Sequence, residues 1–282
     1  MKLLRFGDRG LEKPGLLDSD GTIRDLSNLI MDINGSTLAP DVLDRLRETD
    51  VETLPLVEGN PRIGSCISNP GKFIGIGLNY SDHARESNLP IPEEPIVFFK
   101  ADSSLSGPND DIMQPLDSTK LDWEVEIGVI IGSQARNIAE SDASAHIAGY
   151  CVVNDVSERA FQIERGGGQW DKGKGCDSFG PVGPWLVTAD EIKDVQNLGL
   201  WLDVNGERMQ TGNTSSMIFN CNFLVSYLSR FMTLNPGDII TTGTPPGVGM
   251  GMSPQKWLQP GDVVDLGIDG LGQQQQRVVP YA

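Results

Sequence analysis

Leu121-Asp-Trp-Glu-Val-Glu-Ile-Gly128 is the stretch around which we expect the fold of this 282-residue chain to be organised. Apolar and acidic residues alternate along it, which is the period-two pattern of a β-strand. Alternate side chains of a strand share a face, so Glu124 and Glu126 should lie on one side, roughly 7 Å apart. Two such carboxylates repel each other unless one is protonated or a cation binds. The pair therefore indicates either a solvated strand face or a site for Mg²⁺, Mn²⁺ or Ca²⁺.

The composition indicates an acidic protein with many turns. The chain has a formal net charge of −17 and contains 33 glycines and 18 prolines, which favours a β-rich fold. It has no basic run, so nucleic acid and anionic membranes are poor partners. The four cysteines form no Cys-x-x-Cys pair, and neither a signal peptide nor an apolar run of about 18 residues is present. We therefore expect a cytoplasmic protein with reduced thiols.

The chain is predicted to have two domains, a small α+β domain over residues 1–70 and a larger one over residues 71–282. In the smaller domain the pattern predicts short strands at 2–6, 14–17 and 22–26, and a helix at 41–48. The segment Ile63–Pro70 is rich in Gly, Ser, Asn and Pro, and we interpret it as the linker.

The larger domain is predicted to be mostly antiparallel sheet with a few helices. Its predicted helices are 141–147 and 217–231, the second with apolar residues at steps of three and four. Its predicted strands are 72–77, 96–100, 121–131, 149–154, a hairpin at 200–208 that turns at Asn205-Gly206, 239–242 and 263–266. The predicted fold class is α+β, mostly β.

Motifs for nucleotide binding and nucleophilic catalysis are incomplete. Gly168–Lys174 matches the first seven positions of a P-loop, but Gly175 stands where Ser or Thr is required and Asp177–Pro181 stands where a helix should follow. We therefore reject a nucleotide site, which leaves Lys174 in a Gly-rich loop. No Gly-x-Ser-x-Gly elbow marks a serine nucleophile, and no cysteine lies in a recognisable motif.

The chain has only two histidines. His83 and Glu86 lie three positions apart on a short predicted helix, and a carboxylate beside an imidazole raises its basicity. This spacing is common in helices without any function, so it does not establish a catalytic pair by itself. His146 lies beside Ala and Ile, and we interpret it as a structural residue.

Seven short motifs occur in one order along residues 71–270: Gly77-x-Asn-Tyr-x-x-His83-x-x-Glu86, Phe99-Lys100, Glu124-x-Glu126, Asn154-Asp155, Lys174, Thr214-Ser-Ser-Met-Ile-Phe219 and Thr242-Gly-Thr-Pro-x-Gly-Val-Gly249. None of them is specific singly. Together they resemble the fumarylacetoacetate hydrolase family, in particular its branch of acylpyruvases and dioxo-acid hydrolases. The resemblance implies a mixed β-roll of that family's C-terminal type behind a small N-terminal domain, usually assembled as a homodimer.

The resemblance also implies roles for individual residues. It implies one Mg²⁺ or Mn²⁺ ion per subunit, with Glu124, Glu126 and Asp155 as its ligands. It implies that His83 and Glu86 activate water from a lid, which we place at about residues 81–95, and that a lysine stabilises the developing negative charge. That lysine is Lys174. The implied substrate-binding residues are Tyr80, Lys100, Arg159, Gln162 and Thr244.

The implied reaction is hydrolysis of a carbon–carbon bond in a 2,4-dioxo acid, giving pyruvate and a second carboxylic acid. Within the branch, the chain resembles enzymes that convert L-2,4-diketo-3-deoxyrhamnonate to pyruvate and L-lactate. A hydratase, isomerase or oxaloacetate-type decarboxylase is an alternative on the same metal and enolate, and a ureidoglycolate lyase is another. The presence of both His83 and Glu86 favours hydrolysis, because the alternative chemistries can omit that pair. The non-enzymatic alternative is an acidic scaffold whose carboxylates face water.

Overall fold

A computed structural model describes residues 1–82 and 90–281 of the chain. His83 and Glu86, and with them much of the predicted lid, lie outside the described residues. Within the two described ranges, no helix has the length and apolar character needed to cross a bilayer.

Two main sheets form the body of the described structure. The strands are β1 (Lys2–Phe6), β2 (Lys13–Leu17), β3 (Ile23–Asp25), β4 (Phe73–Gly77), β5 (Ile96–Phe99), β6 (Leu105–Ser106), β7 (Ile112–Gln114), β8 (Leu121–Asp122), β9 (Val125–Ile131), β10 (Ile147–Asn154), β11 (Ser157–Glu158), β12 (Gly180–Thr188), β13 (Gly199–Val204), β14 (Glu207–Asn213), β15 (Ile239–Thr241), β16 (Val263–Ile268) and β17 (Gly272–Pro280). The larger sheet has ten strands in the order β3-β2-β1-β12-β10-β9-β15-β4-β5, with β6 beside β12, and the smaller has the order β14-β13-β16-β17-β7. Most neighbouring strands are antiparallel, and the pairs β12–β6, β15–β4 and β17–β7 are parallel.

The α-helices of the described residues are short, namely α1 (Pro40–Arg47), α2 (Asp171–Lys174) and α3 (Cys221–Ser229). Pro40 occupies the first turn of α1, as predicted, because its missing N–H has no partner to lose there. Helix α3 begins later than the apolar spacing predicts, because Asn220 caps it and accepts the N–H of Phe223 at 2.8 Å. The predicted helix at 141–147 is a 3₁₀ helix, Glu140–His146.

The predicted hairpin between β13 and β14 is confirmed. Asn205 and Gly206 form its turn, and both have positive φ, 51° and 77°. A two-residue turn with positive φ at both positions matches the twist of the flanking strands, and Asn and Gly tolerate it best.

Strands β9 and β10 lie at the centre of the core, and every residue of both is buried. On one face Val125 and Ile127 belong to a cluster with α3 and the smaller sheet. On the other face Ile130 and Val153 belong to a cluster with residues of the N-terminal segment. Each fully buried aliphatic side chain contributes about 1.5–3 kcal/mol to stability. The alternative of a solvated strand face is therefore wrong, since Glu124 and Glu126 are buried as well.

The N-terminal segment is continuous with the rest of the larger sheet. Strand β1 pairs with β12, with Leu3 opposite Leu186. The segment interpreted as a linker, Ile63–Pro70, is largely buried, and its Cys66 and Ile67 lie in the core. The strands of both proposed domains thus share one sheet. The division into two domains at residue 70 stays a prediction.

Candidate active site

The central strand is interrupted at the position where the site is built. The pattern predicts one strand across residues 121–131, but β8 ends at Asp122 and β9 begins at Val125. Between them, the backbone N–H groups of residues 123 to 125 bond to side-chain oxygens instead of a neighbouring strand. The acceptors are Asp122 at 2.9 Å, Asn154 at 3.1 Å and Gln210 at 3.0 Å. All three N–H groups at the break are thus hydrogen-bonded although they are buried.

Three buried carboxylates meet at this break. Glu124 and Glu126 flank the start of β9, and Asp155 directly follows β10. One oxygen from each lies within 4.8 Å of the others, and all three residues are buried. The main chain joins them as well, because the N–H of Asp155 donates to the carbonyl of Glu124 at 2.9 Å. A cluster of three carboxylate oxygens is the donor set that Mg²⁺ and Mn²⁺ prefer, so these residues fit the ion that the sequence predicts.

Three cations neutralise two of the carboxylates. Lys174 Nζ lies 2.6 Å from Glu124 Oε2 and 2.6 Å from Asp155 Oδ2. Arg159 Nη2 lies 2.6 Å from Glu124 Oε1, and Lys100 Nζ lies 2.5 Å from Asp155 Oδ1. These contacts place the three cations around the carboxylate cluster.

Glu126 is held differently from the other two carboxylates. Its Oε2 accepts from the hydroxyl of Thr241 and from the N–H of Gly243, the latter at 2.7 Å. Both donors are neutral, and no ion pair to Glu126 is found within residues 1–82 and 90–281. Glu126 is therefore the carboxylate whose charge the described residues compensate least.

The electrostatics follow from this pairing. Burial raises the pKa of Glu126 well above its usual range, and the charges of Asp155 and Glu124 raise it further. Burial acts in the same direction on Glu124, but Arg159 and Lys174 outweigh it and hold that pKa well below its usual range. A divalent cation beside Glu126 would compensate its charge in place of a proton.

The two lysines have opposite shifts. For Lys174 burial opposes the charge, but Asp155 and Glu124 outweigh burial and raise the pKa, so the ammonium is charged at neutral pH. For Lys100 burial dominates and lowers the pKa, although Asp155 partly offsets it. Lys100 also donates to the carbonyl of Lys174, which ties α2 to the acidic cluster.

A cleft opens over the acidic cluster, and polar side chains form part of its lining. Glu124, Glu126 and Lys174 line it together with three of the predicted substrate-binding residues, Arg159, Gln162 and Thr244. The hydroxyl of Thr244 donates to the carbonyl of Val125 at 2.9 Å and accepts from the amide of Gln210 at 2.8 Å. The structure therefore brings together the predicted ligands Glu124 and Glu126, the predicted lysine and three of the predicted substrate-binding residues in one cleft.

Apolar side chains also line the cleft. They include Leu78, Ile163, Trp170 and Met250. Trp170 packs against the backbone of Gly77, where a Cβ atom would lie 2.3 Å from the indole ring. Glycine at position 77 therefore makes room for the indole, because any larger residue would displace it.

The structure does not place two of the predicted substrate-binding residues in the lining of the cleft. Neither Tyr80 nor Lys100 is among the described residues that line it. Tyr80 is fully buried, and its hydroxyl has no hydrogen-bond partner in the described part of the chain. Burial raises the pKa of Tyr80, and the negative charge of Glu126 raises it further. A role for Tyr80 or Lys100 in binding substrate stays a prediction, and so do the roles of His83 and Glu86, which the described residues do not include.

Sequence reasoning missed the residues that support the site. Asp122 and Gln210 bond to the broken strand, and Thr241 and Gly243 bond to Glu126. No local sequence pattern indicates the role of Gln210, because it lies on another strand, 85 positions from the N–H group that it accepts. Gly243 belongs to the motif at 242–249, but nothing in that motif indicates its contact with Glu126.

Comparison with known proteins agrees with this geometry. The model of the fumarylacetoacetate (FAA) hydrolase C-terminal domain matches residues 72–279. A protein of Burkholderia orbicola (strain MC0-3), whose name goes no further than hydrolase, is 60% identical over 278 residues, 98% of each chain.

Solved structures extend the likeness over the whole chain. Fumarylacetoacetate hydrolase from Exiguobacterium antarcticum is 36% identical, with a TM-score of 0.87 over 100% of both chains. Maleylpyruvate hydrolase from Sphingobium sp. SYK-6, solved in complex with manganese (II) ion and pyruvate, is 28% identical, with a TM-score of 0.84 over 100% of both chains. The predicted mostly β, α+β fold is confirmed by these likenesses. The chain belongs to the fumarylacetoacetate hydrolase family of enzymes.

Proposed function

We propose that this protein hydrolyses the C3–C4 bond of a 2,4-dioxo acid, releasing pyruvate and a second carboxylic acid. The observation that carries the proposal is the buried cluster of Glu124, Glu126 and Asp155 beside the charged Lys174. A similar protein, the maleylpyruvate hydrolase, was solved with manganese and pyruvate, which supports the same product here. Among 2,4-dioxo acids we propose L-2,4-diketo-3-deoxyrhamnonate, whose second product is L-lactate.

The bond changes define what the site must supply. Water adds to the C4 carbonyl, the C3–C4 bond breaks, and its electron pair passes to C3 and the 2-oxo oxygen as the enolate of pyruvate. C3 then takes a proton, so one water is consumed and two acids are released. The enolate is a poor leaving group unless nearby positive charge stabilises it.

The residues of the cleft match those requirements. The charged Lys174 lies where it can stabilise the enolate oxygen, and Arg159 and Gln162 present donors to the carboxylate end of the substrate. We assign removal of the water proton to His83, with Glu86 raising its basicity. When bound by the three carboxylates, Mg²⁺ or Mn²⁺ would supply positive charge for the substrate's carboxylate and 2-oxo oxygens.

A panel of 2,4-dioxo acids tests the proposal directly. The full-length protein is incubated with Mg²⁺ or Mn²⁺ and each acid, and pyruvate is measured together with the second acid. We expect both products in equal amounts from at least one member, with L-2,4-diketo-3-deoxyrhamnonate included. Oxaloacetate is the comparison substrate: release of CO₂ from it, without hydrolysis of any dioxo acid, would favour the decarboxylase alternative.

Homodimer assembly and a cytoplasmic location stay predictions from the sequence.

Lys174→Met should lower kcat by roughly 10²–10³, the usual effect of losing one donor to a developing oxyanion. The affinity for Mn²⁺ should not fall, because the lysine that pairs with Glu124 and Asp155 no longer competes for them. Steady-state kinetics and a Mn²⁺ titration measure the two effects. Lys172→Met is the matched control, since Lys172 is exposed on the same short helix. An unchanged kcat in Lys174→Met, or an equal loss in the control, contradicts this role.

A further inference from the structure

Asp122 is a buried carboxylate to which the proposed reaction assigns no role. It is fully buried and is not one of the described residues that line the cleft. Its Oδ1 accepts the N–H groups of Trp123 at 2.9 Å and Gly249 at 2.7 Å. Its Oδ2 accepts the N–H of Met250 at 3.1 Å and Nε of Arg159 at 2.8 Å. One side chain therefore connects the broken strand, the 249–250 turn and an arginine of the cleft.

Arg159 has a different acceptor for each nitrogen. Nε donates to Asp122, Nη1 to Gln162 Oε1 at 3.0 Å, and Nη2 to Glu124 Oε1 at 2.6 Å. Because the guanidinium is planar and rigid, an acceptor on the Nε edge sets the direction of the other two nitrogens. Asp122 thus determines the angle at which Arg159 faces the cleft.

Asp122 also shares the charge of Arg159. Arg159 Nε lies 2.8 Å from Asp122 Oδ2 and Nη2 lies 2.6 Å from Glu124 Oε1, so two carboxylates compensate the buried guanidinium. If Asp122 were neutral, Glu124 would be the remaining carboxylate in contact with Arg159 among the described residues. A buried charge pairs strongly with its last partner, so Arg159 would compete for Glu124 with any divalent cation.

We propose that Asp122 is a positioning residue for the reaction: it orients Arg159 toward the substrate's carboxylate and limits its hold on Glu124. The inference rests on the proposed function for its meaning in catalysis. Asp122 also fixes the 249–250 turn, which brings Met250 to the lining of the cleft.

Asp122→Asn tests the proposal in the full-length protein, with Mn²⁺ alone and Mn²⁺ with oxalate as probes. An amide cannot accept all four donors, because one of its two positions now carries N–H groups. We expect Mn²⁺ and oxalate to bind roughly tenfold more weakly, as for the loss of one hydrogen bond to a charged group. KM for the dioxo acid should rise by more than kcat falls.

A double-mutant cycle separates positioning from general destabilisation. If Asp122 acts through Arg159, Asp122→Asn should add little to the loss of oxalate affinity already present in Arg159→Lys. The matched control is Asp238→Asn, since Asp238 is equally buried, pairs with Lys72 at 2.6 Å and accepts the N–H of Asn235 at 2.7 Å. The control should melt at a lower temperature and keep its affinity for both probes.

Several results would overturn the proposal. One is that Asp122→Asn leaves the two probe affinities and KM unchanged. Another is that its effects are fully additive with those of Arg159→Lys. The third is that Asp238→Asn loses as much probe affinity as Asp122→Asn. If Asp122→Asn does not fold, Asp122→Ser is used, because its hydroxyl keeps one acceptor for the turn. If neither variant folds, Asp122 is a structural residue and the proposal is wrong. A wild-type protein that releases no pyruvate would overturn the proposed function alone, because both probe affinities would still decide the role of Asp122.

Discussion

Glu126→Ala should abolish pyruvate release, and neither Mg²⁺ nor Mn²⁺ should restore it after treatment with EDTA. Glu124 and Asp155 already pair with lysine and arginine side chains, whereas Glu126 accepts from two neutral donors. It is therefore the carboxylate whose charge the described residues compensate least, and its loss removes a ligand that a divalent cation would compensate. Isothermal titration with Mn²⁺ measures binding, and the dioxo-acid assay measures turnover.

Glu12→Gln is the control for this experiment. Glu12 is also a largely buried glutamate, but it pairs with Arg5 at 3.4 Å and Arg62 at 2.8 Å, away from the residues that line the cleft. Those ion pairs, with burial opposing them, lower its pKa, so the charge is present at neutral pH. The control should lose stability at most, with Mn²⁺ affinity and turnover retained. Full activity of a metal-free Glu126→Ala protein would refute the metal-dependent mechanism.

His83→Ala should lower pyruvate release by roughly 10²–10⁴, the usual range for a general base. The variant should still bind Mn²⁺ and oxalate, because neither His83 nor Glu86 is a proposed ligand. Enolisation of the bound dioxo acid should persist, since the charge of Lys174 remains. Solvent deuterium exchange at C3, measured beside pyruvate release, would show the two steps separated.

The second histidine provides the matched control. His146 is half-buried at the end of a 3₁₀ helix, and its Nδ1 lies 2.9 Å from the hydroxyl of Ser133. It does not line the described cleft, so His146→Ala should keep the wild-type rate. If His83→Ala releases pyruvate as fast as the wild type, water is not activated at His83 and the decarboxylase alternative gains support.

Much of the fold followed from local patterns. Alternating and continuous apolar runs predicted the central strands, and Asn205-Gly206 predicted the hairpin, because these signals depend on neighbours a few positions apart. Helix α3 shows the limit of periodicity. Its apolar spacing extends from 217 to 231, but the capping bond of Asn220 decides where the helix begins. Periodicity describes which face is buried, whereas a capping hydrogen bond sets an end.

By itself the sequence predicted, from the two-residue period of a strand, that Glu124 and Glu126 share a side, and both do line the cleft. Only the tertiary structure decided that the strand breaks beside Glu124, that both faces are buried, and that Glu126 has none of the cationic partners of Glu124 among the described residues. The physical reason is the distance along the chain between interacting groups. Asn154 and Gln210 bond to the break from 30 and 85 positions away, and Lys174 reaches Glu124 from 50 positions away. Such contacts exist only after the sheet has assembled, so no local pattern encodes them.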